Sequence, residues 1–240
     1  SQWLKLILIG FIGGSVPFAL YFTGLLQTSA LNASLIHKTL FLWVAVLAIP
    51  FLKEKIRFWQ WLGIIMIFLA NILVGGFQGF KYNIGELMIM GAPLFWAVEN
   101  VIAKKALKDI SSLVLASARM VFGSVLLFVL VALRSDISVL GNLNAAQWGW
   151  TLLTSVLLLG YVITWYTALK YAPATYVATL LVPATLATNV LSAVFITQAF
   201  SGTQLLSSLF YLGGVGFMIG FASKTAKELE VGQPAVSRVI

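Results

Sequence analysis

Apolar runs of about twenty residues follow one another along almost the whole chain, and they constrain the fold more than any other feature. A helix that crosses a bilayer needs ~20 mostly apolar residues. The mean hydropathy is +1.00, and only 9% of the 240 residues are charged, against about 25% in an ordinary soluble domain. We therefore expect an all-α, polytopic integral membrane protein whose main partner is the lipid bilayer.

Charge clusters and polar turns divide the chain into eight predicted transmembrane helices. They cover about residues 3–25, 30–52, 57–77, 84–103, 111–133, 147–170, 175–199 and 203–223. Most linkers between them are only a few residues long, so no separate soluble domain fits. Residues 224–240 are polar and are predicted to form a disordered tail.

Lysine and arginine are distributed very unevenly between the loops on the two sides of this predicted bundle. One side receives Lys5, Lys53, Lys55, Arg57, Lys104, Lys105, Lys108, Lys170, Lys224, Lys227 and Arg238. The other side receives only Lys81 and Arg134. Cytoplasmic loops carry the excess of basic residues. Both ends of the chain are therefore predicted to lie in the cytoplasm, in a multi-pass protein of the cell membrane.

Composition excludes several other classes of protein. The net charge is +8, but the basic residues form short clusters between apolar runs, which suits anionic headgroups and not nucleic acid. The chain has no cysteine and one histidine, so neither a disulfide nor a thiolate or multi-histidine metal site is expected. No phosphate-binding loop, zinc-binding helix or nucleophile triad is found in context. We expect no enzyme, no cofactor and no metal.

An internal repeat is visible when the chain is shifted by 145 residues, which aligns 17–77 with 162–222 without a gap. The identical pairs are Tyr21 and Tyr166, Ala33 and Ala178, Leu35 and Leu180, Ala48 and Ala193, and Gly75 and Gly220. Both stretches consist of three predicted spans joined by two short turns, and the middle span of each is rich in small residues. Five predicted spans separate the copies, so they must cross the membrane in opposite directions. Inverted repeats are typical of secondary transporters, although duplication for structure alone is the alternative.

Several short motifs recur in both copies. The first copy contains Tyr21–Leu25, Ala30–Ile36, the loop Phe51–Ile56 with its Lys-Glu-Lys sequence, and Gln60–Gly63. The second contains Trp165–Leu169, Pro173–Ala178 and Leu181–Pro183. With these motifs the chain resembles the EamA-like members of the drug/metabolite transporter superfamily. It departs from the family pattern in the closing loop of the second copy, where Gln198-Ala199-Phe200 replaces the usual Gly-Glu pair.

The resemblance implies an inverted-repeat bundle, because family members have ten spans in two inverted five-span halves. The chain matches spans three to ten and lacks the first two family helices. Residues 1–80 would be the last three helices of the first repeat, and residues 81–223 the five helices of the second. The implied function is secondary transport of a small metabolite, an amino acid or related polar or amphipathic compound, by alternating access, with export favoured. The alternative is a non-transporting scaffold or accessory subunit of a larger complex, and a homodimer is also possible.

Four ionisable side chains lie inside predicted spans, where a charge costs ~2.5–3.5 kcal/mol on insertion scales. Lys38 lies ~12 Å into span two at helical rise. It either extends to the outer surface or, together with His37, reaches a central cavity and binds an anionic group of the substrate; in the repeat it aligns with Pro183. Glu99 and Arg119 either form a structural ion pair between spans four and five, or Glu99 is a carboxylate that couples transport to protons.

Aromatic and amide side chains within spans are further candidates for the substrate path. They are Trp96, Asn100, Trp165, Tyr166 and Asn189. Each could equally fill a helix interface. We expect the site to be lined by spans one, two, four, six and seven. The segment Gly10–Pro17 is expected to bend, and Gly216 and Gly220 form a small-xxx-small face that indicates close helix packing or a dimer contact.

Overall fold

The computed structural model describes residues 2–75, 83–134, 138–181, 184–199 and 201–231, and within them the regular structure is entirely helical. This confirms the all-α prediction. The α-helices are α1 Gln2–Gly14, α2 Val16–Leu25, α3 Ala30–His37, α4 Leu40–Leu52, α5 Phe58–Gly75, α6 Ile84–Ala106, α7 Ser112–Arg134, α8 Ser138–Gly141, α9 Ala145–Tyr171, α10 Ala174–Leu181, α11 Ala184–Ser192 and α12 Gly202–Val231. A π-helical turn, Ala193–Thr197, follows α11.

Within the described ranges, six helical segments are long and apolar enough to cross a membrane. They are Gln2–Leu25, Asn32–Leu52, Ile84–Ala106, Ser112–Leu133, Ala145–Tyr171 and Gly202–Gly220. These match six of the eight predicted spans and confirm a multi-pass membrane protein.

The other two predicted spans are not confirmed as single long helices. The third corresponds to α5, Phe58–Gly75, and residues 76 and 77 of the predicted span lie outside the described part. The seventh contains α10 and α11, with residues 182 and 183 between them outside the described part, and its helix changes to a π-helical turn at Ala193. The tail was predicted to be disordered from residue 224, but α12 continues to Val231. Residues 232–240 lie outside the described part.

The described residues form two compact units. Unit 1 contains Ser1–Glu54 and Gln78–Ala178, and unit 2 contains Lys55–Phe77 and Thr179–Ile240. Each unit therefore combines helices from both predicted repeats.

Unit 1 is built around α6, which packs against α1, α2, α3, α4 and α9. Glycines allow two close backbone contacts in this unit. A Cβ on Gly14 of α1 would lie 2.8 Å from the Cα of Gly123 in α7, and one on Gly24 of α2 would lie 2.5 Å from the carbonyl oxygen of Gly85 in α6. These contacts bring α1, α2, α6 and α7 together around the charged residues of the spans.

The two ends of unit 1 separate the loops as the charge distribution predicts. At one end Lys5 lies 3.7 Å from Asp109, and Lys105 lies over the ring of Phe51. At the other end the Asn83 amide donates to the Gln27 carbonyl. Loops predicted to share a side therefore do so, while their assignment to the cytoplasm stays a prediction.

Unit 2 consists mainly of α5 and α12, which pack antiparallel. Their contacts run in opposite order along the two helices: Trp59 with Phe217, Gly63 with Gly214, and Asn71 with Tyr211. A Cβ on Gly63 would lie 2.7 Å from the Gly214 carbonyl oxygen.

The small-residue face predicted in the last span is not the one that packs against α5. A Cβ added to Gly216 or Gly220 would meet nothing within 4 Å among the described residues. The close approach is made by Gly213 and Gly214 instead, because these residues lie on the side of α12 that faces α5. A dimer contact at Gly216 and Gly220 stays a prediction.

Candidate functional site

The charged residues predicted inside spans four and five meet in the interior of unit 1. Glu99 lies on α6 and is fully buried. One of its oxygens, Oε1, accepts a short hydrogen bond from the Tyr166 hydroxyl of α9. The other, Oε2, lies 3.7 Å from Nη1 of Arg119 on α7. Three of the predicted site residues therefore form one cluster, contributed by three helices.

This ion pair is only partly satisfied by hydrogen bonds. The 3.7 Å separation exceeds the 2.7–3.2 Å typical of an N–H···O bond. Glu99 Oε2 and Arg119 Nε are buried and have no hydrogen-bond partner among the described residues. The guanidinium also lies 5.8 Å from the centre of the Tyr166 ring, within cation–π range. Both charged groups thus retain capacity for another polar partner.

Gly13 of α1 provides the space that this pair occupies. A Cβ at this position would collide with Cγ of Glu99 and lie 2.9 Å from its Cδ. The sequence identified Gly13 only as part of a bendable segment, because the neighbour that requires a glycine comes from a helix about 86 positions away in the chain. Gly13 is therefore a site residue that the pattern alone did not reveal.

A chain of hydrogen bonds links α1, α6 and α9 beside the ion pair. In a continuous helix the Gly13 carbonyl would accept from residue 17, but Pro17 has no backbone N–H. The Trp96 indole donates to this carbonyl instead, at 2.9 Å. The Asn100 amide donates to the Trp96 carbonyl and accepts from the Trp165 indole. The predicted break in span one falls at Ser15, and these three predicted residues stabilise it.

His37 lies in a cluster of aromatic rings. Its ring centre is 5.1 Å from that of Trp96 and 5.4 Å from that of Tyr21, both edge-to-face. Phe18 also contacts Trp96, at 5.2 Å. His37 and Trp96 were predicted as candidates for the substrate path, but Tyr21 and Phe18 were not. Aromatic residues are common at helix interfaces, so their presence in a span does not by itself indicate a site.

Lys38 is half-buried at the turn that separates α3 from α4. No hydrogen bond or ion pair of its ammonium group is found within the described ranges. Its repeat partner Pro183 lies outside the described residues. The same is true of the Asn189 side chain, whose backbone is part of α11.

A cavity of about 480 Å³ lies against Arg119, between the helices α1, α2, α7 and α9. Its wall includes Gly14, Phe18, Phe22, Ser124, Thr154 and Leu158. Of the spans predicted to line the substrate path, spans one and six contribute to this cavity, and span five, which carries Arg119 and was not in the predicted lining, contributes as well. His37 and Lys38 do not line this cavity.

Two charged residues that sequence analysis counted only as loop charges hold the turn between α9 and α10. The Glu54 carboxylate accepts from the backbone N–H groups of Ala174 and Thr175, at 2.6 and 3.1 Å, and so caps the start of α10. The Lys104 ammonium donates to the carbonyls of Leu169 and Ala172, at 2.6 and 2.8 Å, at the end of α9. We call these two residues the turn clamp.

The fold and the buried polar cluster define a class, a multi-pass helical membrane protein. A model of the EamA-like transporter family matches residues 1–76 and 83–220, and the chain belongs to that family.

Curated relatives are also transporters by name. The uncharacterized transporter YyaM of Bacillus subtilis (strain 168) is 33% identical over 149 residues, 60% of this chain and 49% of that protein. An uncharacterized transporter of Methanothermobacter thermautotrophicus is 25% identical over 222 residues, 90% of this chain and 64% of that protein. The chain thus spans 49% and 64% of the relatives it matches.

The fold is also found in a protein of known crystal structure. The two share a TM-score of 0.74 at 18% sequence identity, over 93% of this chain and 77% of the other. At this identity the likeness concerns the fold alone.

Proposed function

We propose that this chain is a secondary transporter that moves a small metabolite across the cell membrane by alternating access between two inverted repeats. The observation that carries the proposal is the pairing of α5 with α12. Residues 58–75 and 203–220 are equivalent under the 145-residue shift, and the two helices run antiparallel against each other in unit 2. Equivalent helices with opposite directions are what an inverted repeat requires.

Local backbone geometry supports the same repeat. Lys53 and Gln198 are the two non-glycine residues with positive φ in the described chain, at 58° and 50°. They lie 145 positions apart. Non-glycine residues rarely adopt this conformation, so its occurrence at both equivalent positions argues for two copies of one local fold, each ending a span in the same way.

The turn clamp is present on one side of the predicted bundle and has no equivalent in the other repeat, which supports a different closing contact on each side of the membrane. Glu54 of the first repeat caps the first turn of α10 in the second. The position equivalent to Glu54 is Ala199, which has no side chain that could cap the start of α3. Ser29 of α3 caps its own helix instead, at 3.2 Å from the Asn32 N–H. We propose that the clamp closes the side predicted to be cytoplasmic, and that its release opens that side.

The Glu99–Arg119–Tyr166 cluster supports coupling to protons. Oε2 of this buried carboxylate is in an ion pair but accepts no hydrogen bond among the described residues, so it can take up a proton without first breaking a hydrogen bond at that oxygen. We propose that Glu99 is the coupling residue and that Arg119 and Tyr166 position it. The substrates we expect are amino acids or related compounds, with export favoured. The scaffold alternative is less well supported, because unit 1 retains a cavity beside a buried charge.

Counterflow in proteoliposomes tests both parts of this proposal. The chain is reconstituted in vesicles loaded with unlabelled amino acids, and labelled amino acids are added outside one at a time. A transporter is expected to accumulate at least one label transiently, whereas a scaffold gives the result of empty vesicles. Glu99→Gln is expected to retain counterflow but to lose accumulation driven by a pH gradient.

Glu86→Gln is the matched control, since Glu86 is a second buried carboxylate of α6, bound by the Asn32 amide at 2.9 Å. It is expected to retain both activities. Loss of gradient-driven accumulation in both variants, or in neither, would contradict a specific coupling role for Glu99.

A further inference from the structure

The cavity beside Arg119 lies at the depth of the hydrocarbon core. Thr154 is nine residues from the start of α9, which is ~14 Å at helical rise in a core ~30 Å thick. Phe22, on the opposite wall, is 59% exposed. Because Phe22 and Thr154 are both exposed, the cavity is open at the surface of unit 1, and a molecule dissolved in the bilayer can enter it.

The polar side chains of the wall present little hydrogen-bond donor capacity apart from Arg119. The hydroxyls of Ser124, Thr154 and Ser155 donate to the carbonyls of Val121, Trp150 and Thr151 on their own helices. Their hydrogens are therefore already used, and the remaining wall is mostly aliphatic and aromatic. Such a cavity favours an apolar body with one charged or polar end.

The positive charge of Arg119 determines that the polar end of the ligand is negatively charged. Its side chain is 8% exposed, it lines the cavity, and its Nε lacks a hydrogen-bond partner among the described residues. A guanidinium binds a carboxylate in a planar, two-bond geometry that its 3.7 Å contact with Glu99 does not achieve. We propose that this cavity binds a single-tailed amphipathic monocarboxylate, with its carboxylate on Arg119 and its tail between α2, α7 and α9.

The charges at this site require that a proton accompanies the bound carboxylate. With the ligand bound, two carboxylates share one guanidinium, so the complex holds one excess negative charge unless a proton enters. In the part of the chain that the structure describes, the charged or titratable groups that face Glu99 are Arg119 from α7 and Tyr166 from α9, with Tyr161 of α9 nearby, while α1 contributes Gly13. Oε2 of Glu99 is free of hydrogen bonds and is the site for that proton. The proposal rests on the proposed function and names the chemistry of its substrate.

Photolabelling measures this binding independently of transport. The probe is dodecanoate with a diazirine in its tail, added to the chain in nanodiscs of zwitterionic lipid, with the corresponding alcohol as its uncharged counterpart. We expect labelling of α7 and α9 by the carboxylate, at least tenfold above the alcohol, and competition by dodecanoate but not by dodecyltrimethylammonium. Equal labelling by the alcohol would overturn recognition of the carboxylate.

Three variants locate the site. Glu99→Gln mimics the protonated acid and is expected to increase labelling, while adding Arg119→Gln to it should reduce labelling at least tenfold. Leu158→Trp fills the cavity and should abolish labelling. Leu157→Trp is its matched control, because Leu157 is 63% exposed on the same helix and does not line the cavity. Labelling that survives Leu158→Trp, or that is unchanged by Glu99→Gln, overturns the proposal. Labelling without counterflow of either dodecanoate or the amino acids would instead reject transport and leave the binding site standing.

Discussion

At the scale of single residues, the interior of unit 1 depends on a charge pair that the membrane makes expensive to break. Removing one partner of a buried pair leaves an uncompensated charge and costs about 3–5 kcal/mol, whereas removing both can be nearly neutral. Glu99 and Arg119 meet this condition, since both are buried and oppositely charged. Tyr166 adds a hydrogen bond to the carboxylate and so fixes its orientation.

A double-mutant cycle tests the energetic coupling of this pair. Glu99→Leu and Arg119→Leu are each expected to destabilise the chain by about 3 kcal/mol or more. The double variant should be more stable than the sum of the two predicts, with a coupling of about 1–3 kcal/mol. Unfolding in mixed micelles with increasing SDS measures all four proteins. Additive effects would show that the two side chains do not interact.

The sequence predicted the charged members of this site because ionisable residues are rare within spans and therefore conspicuous. It could not identify Gly13, whose importance arises only from its contact with Glu99 of another helix. Lys38 shows the opposite case, a residue that the sequence singles out but that the structure does not place at this cavity. It is equally conspicuous in the sequence, but it lies at the turn between α3 and α4 and does not line the cavity beside Arg119, because its position relative to the other helices depends on tertiary packing.

At the scale of helices, glycines determine where backbones meet. In unit 2 a Cβ on Gly214 would lie 2.6 Å from Cγ1 of Ile67 and 2.8 Å from the Gly63 carbonyl oxygen. Two residues further along α12, a Cβ on Gly216 would have no neighbour within 4 Å in the described part. The two glycines therefore differ in environment although both belong to a glycine-rich segment.

Alanine substitution separates these environments. Gly214→Ala is expected to destabilise unit 2 by about 1–3 kcal/mol, because α5 and α12 must move apart. Gly216→Ala should be neutral or slightly stabilising, since alanine is the better helix former. The same SDS unfolding assay measures both variants. Equal destabilisation by the two substitutions would mean that Gly216 also makes a close contact, for example with a second copy of the chain.

Helix boundaries were predicted closely where charge clusters mark them: the fourth span was predicted at about 84–103, and α6 is Ile84–Ala106. They were predicted poorly for the seventh span, which hydropathy treats as one run but in which a π-helical turn, Ala193–Thr197, follows α11. Hydropathy measures burial in lipid and carries no information on backbone hydrogen bonding, so interruptions of this kind are invisible to it.

At the scale of the whole molecule, the account depends on two copies of one helical motif that cross the membrane in opposite directions. The weak sequence identity between the copies is supported by the antiparallel α5 and α12 and by the shared positive φ of Lys53 and Gln198. The uneven loop charges predict which segments face the cytoplasm. The absence of cysteine from the sequence makes this arrangement directly measurable.

The decisive measurement is the sidedness of single cysteines introduced at Lys53, Lys55, Lys105 and Gln198, each exposed in the structure. Labelling with a membrane-impermeant maleimide in intact and permeabilised cells assigns each position to one face. The account predicts that positions 53, 55 and 105 are labelled only after permeabilisation and that position 198 is labelled in intact cells. Position 198 on the same face as position 53, or positions 55 and 105 on opposite faces, would contradict the inverted repeat and with it the proposed transport mechanism.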